Sequence, residues 1–343
     1  MEKKWVKQVV GIDVAQNELV VCIGRMGEDL TPELYGSKTF KNTSKGFVSL
    51  LSWVGKMTVA GVSVRYVMEA TGVYHESFAY FLADKGCSVS IVLPNRISNY
   101  FRTLEVKTVT DKTSSEAITL FGLERKLEDW QRPKPVYKRL RQLTREREQL
   151  IAERTMVKNQ LHAEKAEAEP GSDSIKRMEK RIQLFNQQEK EIKSEIAAMS
   201  AKDPEVKAAV KLITSIPGIG VLTAVAILAE TNGFDLIRNK RQLTSYAGLD
   251  VREKQSGTSV KGKPSISKRG NKYLRKALHM PSLSTIQHDE RFKAIYARII
   301  ARNGIKMKAL VAVQRRLLEM TYTIFKTGTP YDKNYFASVV QKN

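Results

Sequence analysis

Three acidic residues lie at positions where a carboxylate could have either a chemical or a structural role. Asp13 lies inside an apolar run with strand character, where an ionised carboxylate is costly unless it meets a cation or hydrogen-bond donors. Glu69 ends a second apolar run, and Asp111 opens a segment with helical spacing. Carboxylates carried on two strands and one helix can converge on one or two Mg²⁺ ions, the arrangement that two-metal phosphoryl transfer needs.

Each acid also has a purely structural interpretation when it is taken singly. Asp13 can stabilise a turn, Glu69 can be a solvated strand end, and Asp111 can complement the dipole of its helix. The residues alone leave both interpretations open.

Residues 251–276 are a second place for chemistry, because nine Lys or Arg residues there accompany one Glu and four serines. A serine that attacks a phosphodiester needs an accessible position and cations that neutralise the transition state. Ser256 precedes Gly257, where backbone and phosphate can come close, whereas Ser265 and Ser267 suit phosphate contacts or a helix cap. So polar a segment is expected to be flexible or held by an anionic partner. Its predicted nucleic-acid contacts are Lys254, Lys261, Lys263, Lys268, Arg269, Lys272 and Arg275.

The net charge points to a polyanionic partner. The chain of 343 residues has 58 basic and 36 acidic residues, a formal charge of +22, and residues 201–343 hold 26 of the basic and 10 of the acidic groups. A hydrophobic content of 42% excludes a disordered protein. There is no apolar run of about 18 residues and no signal-peptide pattern, so we expect a cytoplasmic protein without a membrane partner.

Cysteines and histidines offer no transition-metal site. Cys22 and Cys87 lie in apolar strand-like runs and are predicted to be buried. The four histidines are scattered without zinc-ligand spacing. Any metal chemistry must therefore rest on carboxylates and a hard cation.

The hydrophobic pattern divides the chain into three predicted parts. Residues 1–130 alternate strands with helices, which predicts a layered α/β domain. Residues 131–203 carry heptad spacing on both sides of a break at EPGSDS, which predicts a helical hairpin with coiled-coil character, either a spacer that packs on itself or a dimerisation arm. Residues 204–343 are predicted to be mostly helical, with two or three helices after the basic stretch.

The turn IPGIG lies between two of these helical runs. Gly218 and Gly220 resemble the turn of a helix-hairpin-helix unit, in which backbone N–H groups approach phosphate. An ordinary helix–helix turn is the alternative.

Seven segments in order resemble one known family. GIDVAQNELVV, MEATGVYHE, VLPN, TDKTSSEAITLFGLER, IPGIGVLTAVAILAE, YAGLDVREKQSG and ISKRGNKYLRK are similar to motifs of the DEDD-type insertion-sequence transposases of the IS110 family, relatives of the Piv DNA invertases. The resemblance covers nearly the whole chain. It implies an N-terminal RuvC-like domain of the ribonuclease H fold, a coiled-coil connector, and a C-terminal transposase domain.

The resemblance also implies an activity and its residues. It implies site-specific recombination of donor and target DNA by a serine nucleophile with Mg²⁺-binding carboxylates, guided by a bridge RNA and carried out by a homo-oligomer, dimer or tetramer. Asp13, Glu69 and Asp111 match the first three metal-binding acids of the family, and Ser256 matches the nucleophile.

The fourth acid departs from the family pattern T-D-x-x-D-A. Ser114 occupies that position, and Glu116 lies about 140° around an ideal helix from Asp111. Glu116 is the predicted substitute ligand, through its longer side chain, and water-mediated coordination by Ser114 is the alternative.

Two other functions remain open at this point. One is a metal-dependent nuclease of the Holliday-junction type, in which Ser256 only contacts phosphate. The other is a catalytically silent nucleic-acid-binding protein that has lost its metal through the change at Ser114.

Overall fold

The structure, a computed structural model, describes residues 4–70, 72–104, 106, 108–235, 237–253, 255–256, 260–262 and 265–333, with only the backbone at 255–256, 260–261 and 303. The chain divides into two units, residues 1–132 and 133–343. The division into three parts stays a prediction.

The first unit is built on a five-stranded mixed sheet with the order β3-β2-β1-β4-β5. Strands β1, β2 and β3 pair antiparallel, and β4 and β5 run parallel to β1. The strands are β1 (Trp5–Val14), β2 (Glu18–Gly27), β3 (Pro32–Lys41), β4 (Val64–Glu69) and β5 (Ser88–Val92). The predicted α/β architecture is confirmed.

Four helices cover the two faces of this sheet. They are α1 (Ser44–Met57), α2 (Glu76–Asp84), α3 (Pro94–Phe101) and α4 (Asp111–Glu124). Because side chains alternate along a strand, Val10 and Ile12 pack on the side of α1 and α2, while Val9 packs with residues of α3 and α4. Cys22 is buried in β2 and Cys87 is half-buried before β5.

Helix α4 lies unusually close to β1 because glycines occupy the contact points. A Cβ atom on Gly11 would lie 2.3 Å from Thr119 Oγ1 and 2.4 Å from Thr119 N, and one on Gly122 would lie 2.7 Å from Val9 Cγ1. Only residues without a side chain permit this approach. The position of α4 over the sheet therefore depends on Gly11 and Gly122.

The second unit begins with the predicted helical hairpin. Helices α5 (Pro135–Lys165) and α6 (Ser172–Lys202) are each 31 residues long and pack together. Leu140, Leu143 and Val157 are buried on α5, as are Ile192 and Ile196 on α6.

The remaining helices of the second unit form its main core. They are α7 (Pro204–Ile213), α8 (Val221–Thr231), α9 (Lys240–Ala247), α10 (Lys272–Ala277), α11 (His279–His288), α12 (Glu290–Asn303) and α13 (Lys306–Thr327). Within the described residues four helices, α10 to α13, follow the strand-forming residues 251–266 instead of the two or three predicted, because the helix is interrupted at Leu278 between α10 and α11. Within the described ranges no helix is long and apolar enough to cross a bilayer.

The basic stretch contains more regular structure than its composition indicated. Strand β6 (Val251–Arg252) pairs antiparallel with β9 (Ser265–Ile266), and β7 (Gln255–Ser256) pairs with β8 (Val260–Lys261). A polar segment can form such ladders because strand pairing satisfies the backbone without apolar burial. The described strands β6 to β9, within residues 251–266, form a short β-hairpin arm rather than a plain loop.

Candidate active site

Two parallel strands end side by side and carry Asp13 and Glu69 to one edge of the sheet. The register pairs Ile12 of β1 with Met68 of β4, so each acid is the next residue along its strand. Alternation places Asp13 on the same face as Val9, which packs with α4. The two carboxylates thus lie next to each other on the α4 side of the sheet.

Helix α4 brings Asp111 to the same edge. Gly122 meets Val9, while Ser115 and Thr119 meet Gly11, so α4 runs antiparallel to β1. Asp111 lies one turn before Ser115 on the same stripe of the helix. It is the first residue of α4, whose N-terminus is closed by a capping box of Thr110 and Thr113.

Electrostatics show that the three acids act on one another. The pKa of Asp13 is raised to about 6, first by burial, then by the charges of Asp111 and Glu69, against the stabilising N–H of Val14. A divalent cation would relieve this repulsion, and three carboxylates are a donor set that suits a hard cation. Among the described side chains, however, no three Asp, Glu, His or Cys groups are already gathered into a ready cation site.

Glu116 faces away from this cluster. Its carboxylate lies 4.0 Å from Lys112 Nζ. Burial raises the pKa of the Cys22 thiol on β2 to about 11, and the charge of Glu116 adds to that rise. Glu116 therefore lies on the β2 flank of α4.

Ser114 lies on the opposite flank. It precedes Ile118 by one turn, and Ile118 packs in one cluster with Val67 of β4 and Val92 of β5. Since Glu69 ends β4, Ser114 is on the side of α4 that faces the acids.

The backbone of Ser256 lies in the outer ladder of the β-hairpin arm, opposite Val260. The side chains of Ser256 and Lys261 lie outside the described part of the structure, as do Lys254 and Lys263 entirely. For these four residues the predicted roles stay predictions.

The base of the β-hairpin arm is held by a set of short-range contacts. Ser267 Oγ donates to Asp250 Oδ1 at 2.6 Å, and Ser267 N donates to Asp250 O at 2.9 Å. Gly248 has φ 67°, and a Cβ on Gly270 would lie 2.6 Å from Gly248 N. The Ser267 hydroxyl is thus used in a local turn, and the arm leaves the helical core from a well-packed base.

An ionic network that the residue pattern did not reveal lies beneath this base. Glu230 is 2% exposed and accepts two hydrogen bonds from Arg145, Nε at 2.7 Å and Nη2 at 2.8 Å. Its Oε2 also accepts from Asn271 Nδ2 at 2.6 Å, and Tyr246 Oη donates to its backbone oxygen at 2.9 Å. The only sequence signal was one acid at the end of the apolar run AVAILAE.

The predicted phosphate-binding cations differ in their surroundings. Lys268, Arg269 and Lys272 are exposed. Arg275 instead donates from Nη1 to the backbone oxygens of Ala247 at 2.8 Å and Gly270 at 3.3 Å. Arg275 therefore supports the backbone at the base of the arm.

The two glycines of the IPGIG turn also differ. Gly218 has φ 91°, and a Cβ there would lie 2.4 Å from Thr285 Oγ1 on α11. Gly220 caps α8, and a Cβ there would meet nothing within 4 Å. Gly218 is required by packing, whereas Gly220 leaves the start of α8 open to approach.

Comparison with known proteins places the chain among transposases. The family model described as "Transposase IS116/IS110/IS902 family" matches residues 210–297, and a DEDD model of IS110, described as "Transposase", matches residues 10–164. Together the two ranges cover more than half of the chain.

Relatives match along nearly the full length. The pilin gene-inverting protein of Moraxella lacunata is 29% identical over 95% of this chain and 98% of its own, and that of Moraxella bovis gives the same values. The transposase for insertion sequence element IS1111A of Coxiella burnetii is 22% identical over 94% of this chain and 91% of its own. Among solved structures, RuvC of T. thermophilus in complex with Holliday junction substrate covers 36% of this chain and 99% of its own, with 10% identity and a TM-score of 0.28.

Members of these transposase families catalyse DNA strand cleavage and transfer. Active sites of the DEDD type generally use divalent metal ions. The two models and the full-length relatives agree with the order of the motifs along the chain, and the protein belongs to the IS110 family of transposases.

Proposed function

We propose that this protein is a site-specific DNA recombinase with Ser256 as its nucleophile and with Asp13, Glu69 and Asp111 as ligands of Mg²⁺. The observation that carries the proposal is the placement of Asp13 and Glu69 on adjacent strands and of Asp111 at the start of α4, all at one sheet edge. The mixed sheet, with Asp13 and Glu69 at the carboxyl ends of β1 and β4, supports a RuvC-like first domain.

The proposed reaction keeps the number of phosphodiester bonds constant. Ser256 Oγ bonds to phosphorus as the bond from phosphorus to the leaving deoxyribose oxygen breaks, and the serine proton is lost while the leaving oxygen gains one. The hydroxyl end of the second DNA strand then attacks the phosphorus and loses its proton. The bond from phosphorus to Ser256 Oγ breaks, and the serine regains a proton. When bound, Mg²⁺ supplies charge neutralisation at the phosphoryl oxygens. Lys268, Arg269 and Lys272 orient the phosphates from the base of the arm.

We propose Ser114, through a water molecule, as the fourth group of the metal site in preference to Glu116. Ser114 lies on the flank of α4 that faces β4, and Glu116 lies over β2 beside Cys22. If so, Ser114→Ala impairs activity more than Glu116→Gln. The reverse order would return the position to Glu116.

Partners and assembly follow from the resemblance and from the charge. Donor and target DNA, a structured bridge RNA and a homo-oligomer, dimer or tetramer, are the proposed partners, and the excess of 26 basic over 10 acidic groups in residues 201–343 favours nucleic acid. Sequencing of nucleic acid that copurifies with the protein tests the RNA. Recovery of DNA alone would contradict it.

Subunit mixing tests the catalytic assignment. Strand transfer requires Ser256 and the carboxylates at one phosphate, and we propose that different protomers supply them across the α5–α6 hairpin. Ser256→Ala and Asp13→Ala subunits should each be inactive and should regain activity when mixed. Ser265→Ala is the matched control and should stay active alone.

Three outcomes of an adduct and cleavage assay on the wild type and Ser256→Ala separate the alternatives. A denaturation-resistant protein–DNA adduct in wild type that is absent in Ser256→Ala supports the serine mechanism. Metal-dependent cleavage without any adduct would favour a nuclease that uses water, and no metal-dependent activity at all would favour a silent binding protein.

A further inference from the structure

The second unit contains a cavity of about 730 Å³ that none of the proposed catalytic residues lines. Its walls come from α5, α6 and α8 and from residues 273–281 of α10 and α11. The volume falls in the range of small-molecule and cofactor sites. Such a recess admits one planar group but not a nucleic-acid duplex.

The lining of the cavity combines aliphatic side chains with flat ones. Ile151, Leu222, Ala226 and Pro281 supply aliphatic surface. The Arg145 guanidinium lies over the Tyr273 ring, 4.4 Å from its centroid, and both residues line the cavity. Planar aromatic and guanidinium surfaces are the usual platforms for unpaired bases.

Arg145 is held rigidly although it is accessible. Its side chain is 40% exposed, whereas its partner Glu230 is 2% exposed and is fixed in turn by Asn271. A guanidinium fixed in this way has lost its rotamer freedom before any ligand binds. Stacking on it therefore requires little further ordering.

The charge of the lining suits one phosphate. Four cations, Arg145, Arg147, Arg275 and Lys276, line the cavity together with two acids, Glu148 and Glu230. Both acids are already paired, Glu230 with Arg145 and Glu148 with Lys276, and Arg147 pairs with Glu189 of α6. The charge of Arg275 remains in excess, which favours an anion.

From these contacts we propose that the cavity binds one unpaired nucleotide of a nucleic-acid strand. The base lies between the aliphatic side chains and the Arg145 plane, and its phosphate lies toward Arg275. The energy of unstacking that nucleotide is offset by stacking in the cavity, as in other proteins that extrude a base. The role proposed for this site is different from the roles proposed for Ser256 and for the three carboxylates.

Binding of the four deoxynucleoside 5′-monophosphates, measured by calorimetry in low salt, tests the site directly. At least one should bind with a Kd of about 1 mM or tighter, and inorganic phosphate should bind at least tenfold more weakly. Arg145→Lys keeps the charge beside Glu230 but removes the plane, and Thr223→Trp places a large ring in the cavity and leaves Arg145 and Glu230 themselves unchanged. Each should weaken nucleotide binding at least tenfold.

The matched control is Arg139→Lys, which alters an exposed ion pair with Glu195 on the same hairpin and should bind as wild type does. Circular dichroism checks that each variant is folded, and Ser256→Ala should bind the nucleotide unchanged, so the test does not depend on the serine mechanism. No binding of any mononucleotide, equal binding of inorganic phosphate, or full binding by both folded cavity variants would each overturn the proposal.

Discussion

The most informative single perturbation is Asp13→Asn, because the metal-free first unit is expected to become more stable as it loses function. Folding raises the pKa of Asp13 from 3.8 to about 6. One pKa unit corresponds to about 1.4 kcal/mol, and Asp13 is only partly buried, so after solvent screening the ionised carboxylate destabilises the fold by about 1–3 kcal/mol well above pH 6. Asparagine keeps an acceptor for the Val14 N–H without the charge.

The sign of the effect fixes its pH window. Below about pH 4 the carboxyl group is protonated in both the folded and unfolded states, so the variant and the wild type should have equal stability. Between pH 4 and 6.5 the wild type loses stability relative to the variant, and the difference should reach about 1–3 kcal/mol at pH 7.5 in EDTA. Added Mg²⁺ should stabilise the wild type and have little effect on the variant.

Urea unfolding followed by tryptophan fluorescence measures this difference cleanly. Trp5, Trp53 and Trp130 are the three tryptophans of the chain, and all belong to the first unit. Glu18→Gln, which removes an exposed carboxylate at the start of β2, is the matched control and should change little. A variant no more stable than wild type at pH 7.5, or one equally stabilised at pH 4, would refute the repulsion among the three acids.

Three further perturbations follow from packing and charge. Gly11→Ala should destabilise the first unit by about 1–3 kcal/mol or more in urea unfolding, because its Cβ meets Thr119, whereas Gly55→Ala, with nothing within 4 Å, should be neutral or slightly stabilising. Burial would raise the pKa of Glu189, but Lys193, Arg154 and Arg147 together lower that pKa to about 2. The ionised carboxylate therefore stabilises the wild type at neutral pH, and this stability should be lost only as the pH falls from about 4.5 toward 2. Glu189→Gln should cost about 3 kcal/mol at pH 7 in circular-dichroism melts and lack that acid transition. Replacing Lys268, Arg269 and Lys272 with Gln should flatten the slope of log K against log salt for duplex DNA by up to ~0.9 per lost phosphate contact, and an unchanged slope would remove these residues from the phosphate path.

The local sequence pattern was enough to predict the strands and the helical hairpin, and to identify Asp13 as an unusual residue. Alternating β-branched residues predicted the strands around Asp13, and heptad spacing predicted the α5–α6 hairpin. An acid inside an apolar strand was visible as a cost that needed a reason. These features depend on neighbours within a few residues, so one sequence is sufficient to show them.

Long-range contacts decided what those elements do together. The register between β1 and β4 places Asp13 beside Glu69. The close contacts at Gly11 and Gly122 orient α4 on the sheet and so determine the flank on which Ser114 lies. Arg147 and Arg154 of α5 close around Glu189 on α6. Glu230 likewise acquires its meaning from Arg145, 85 residues earlier in the chain. Such pairings join segments far apart in sequence, and their partners are selected by packing and by the need to satisfy buried charge, which only the tertiary structure determines.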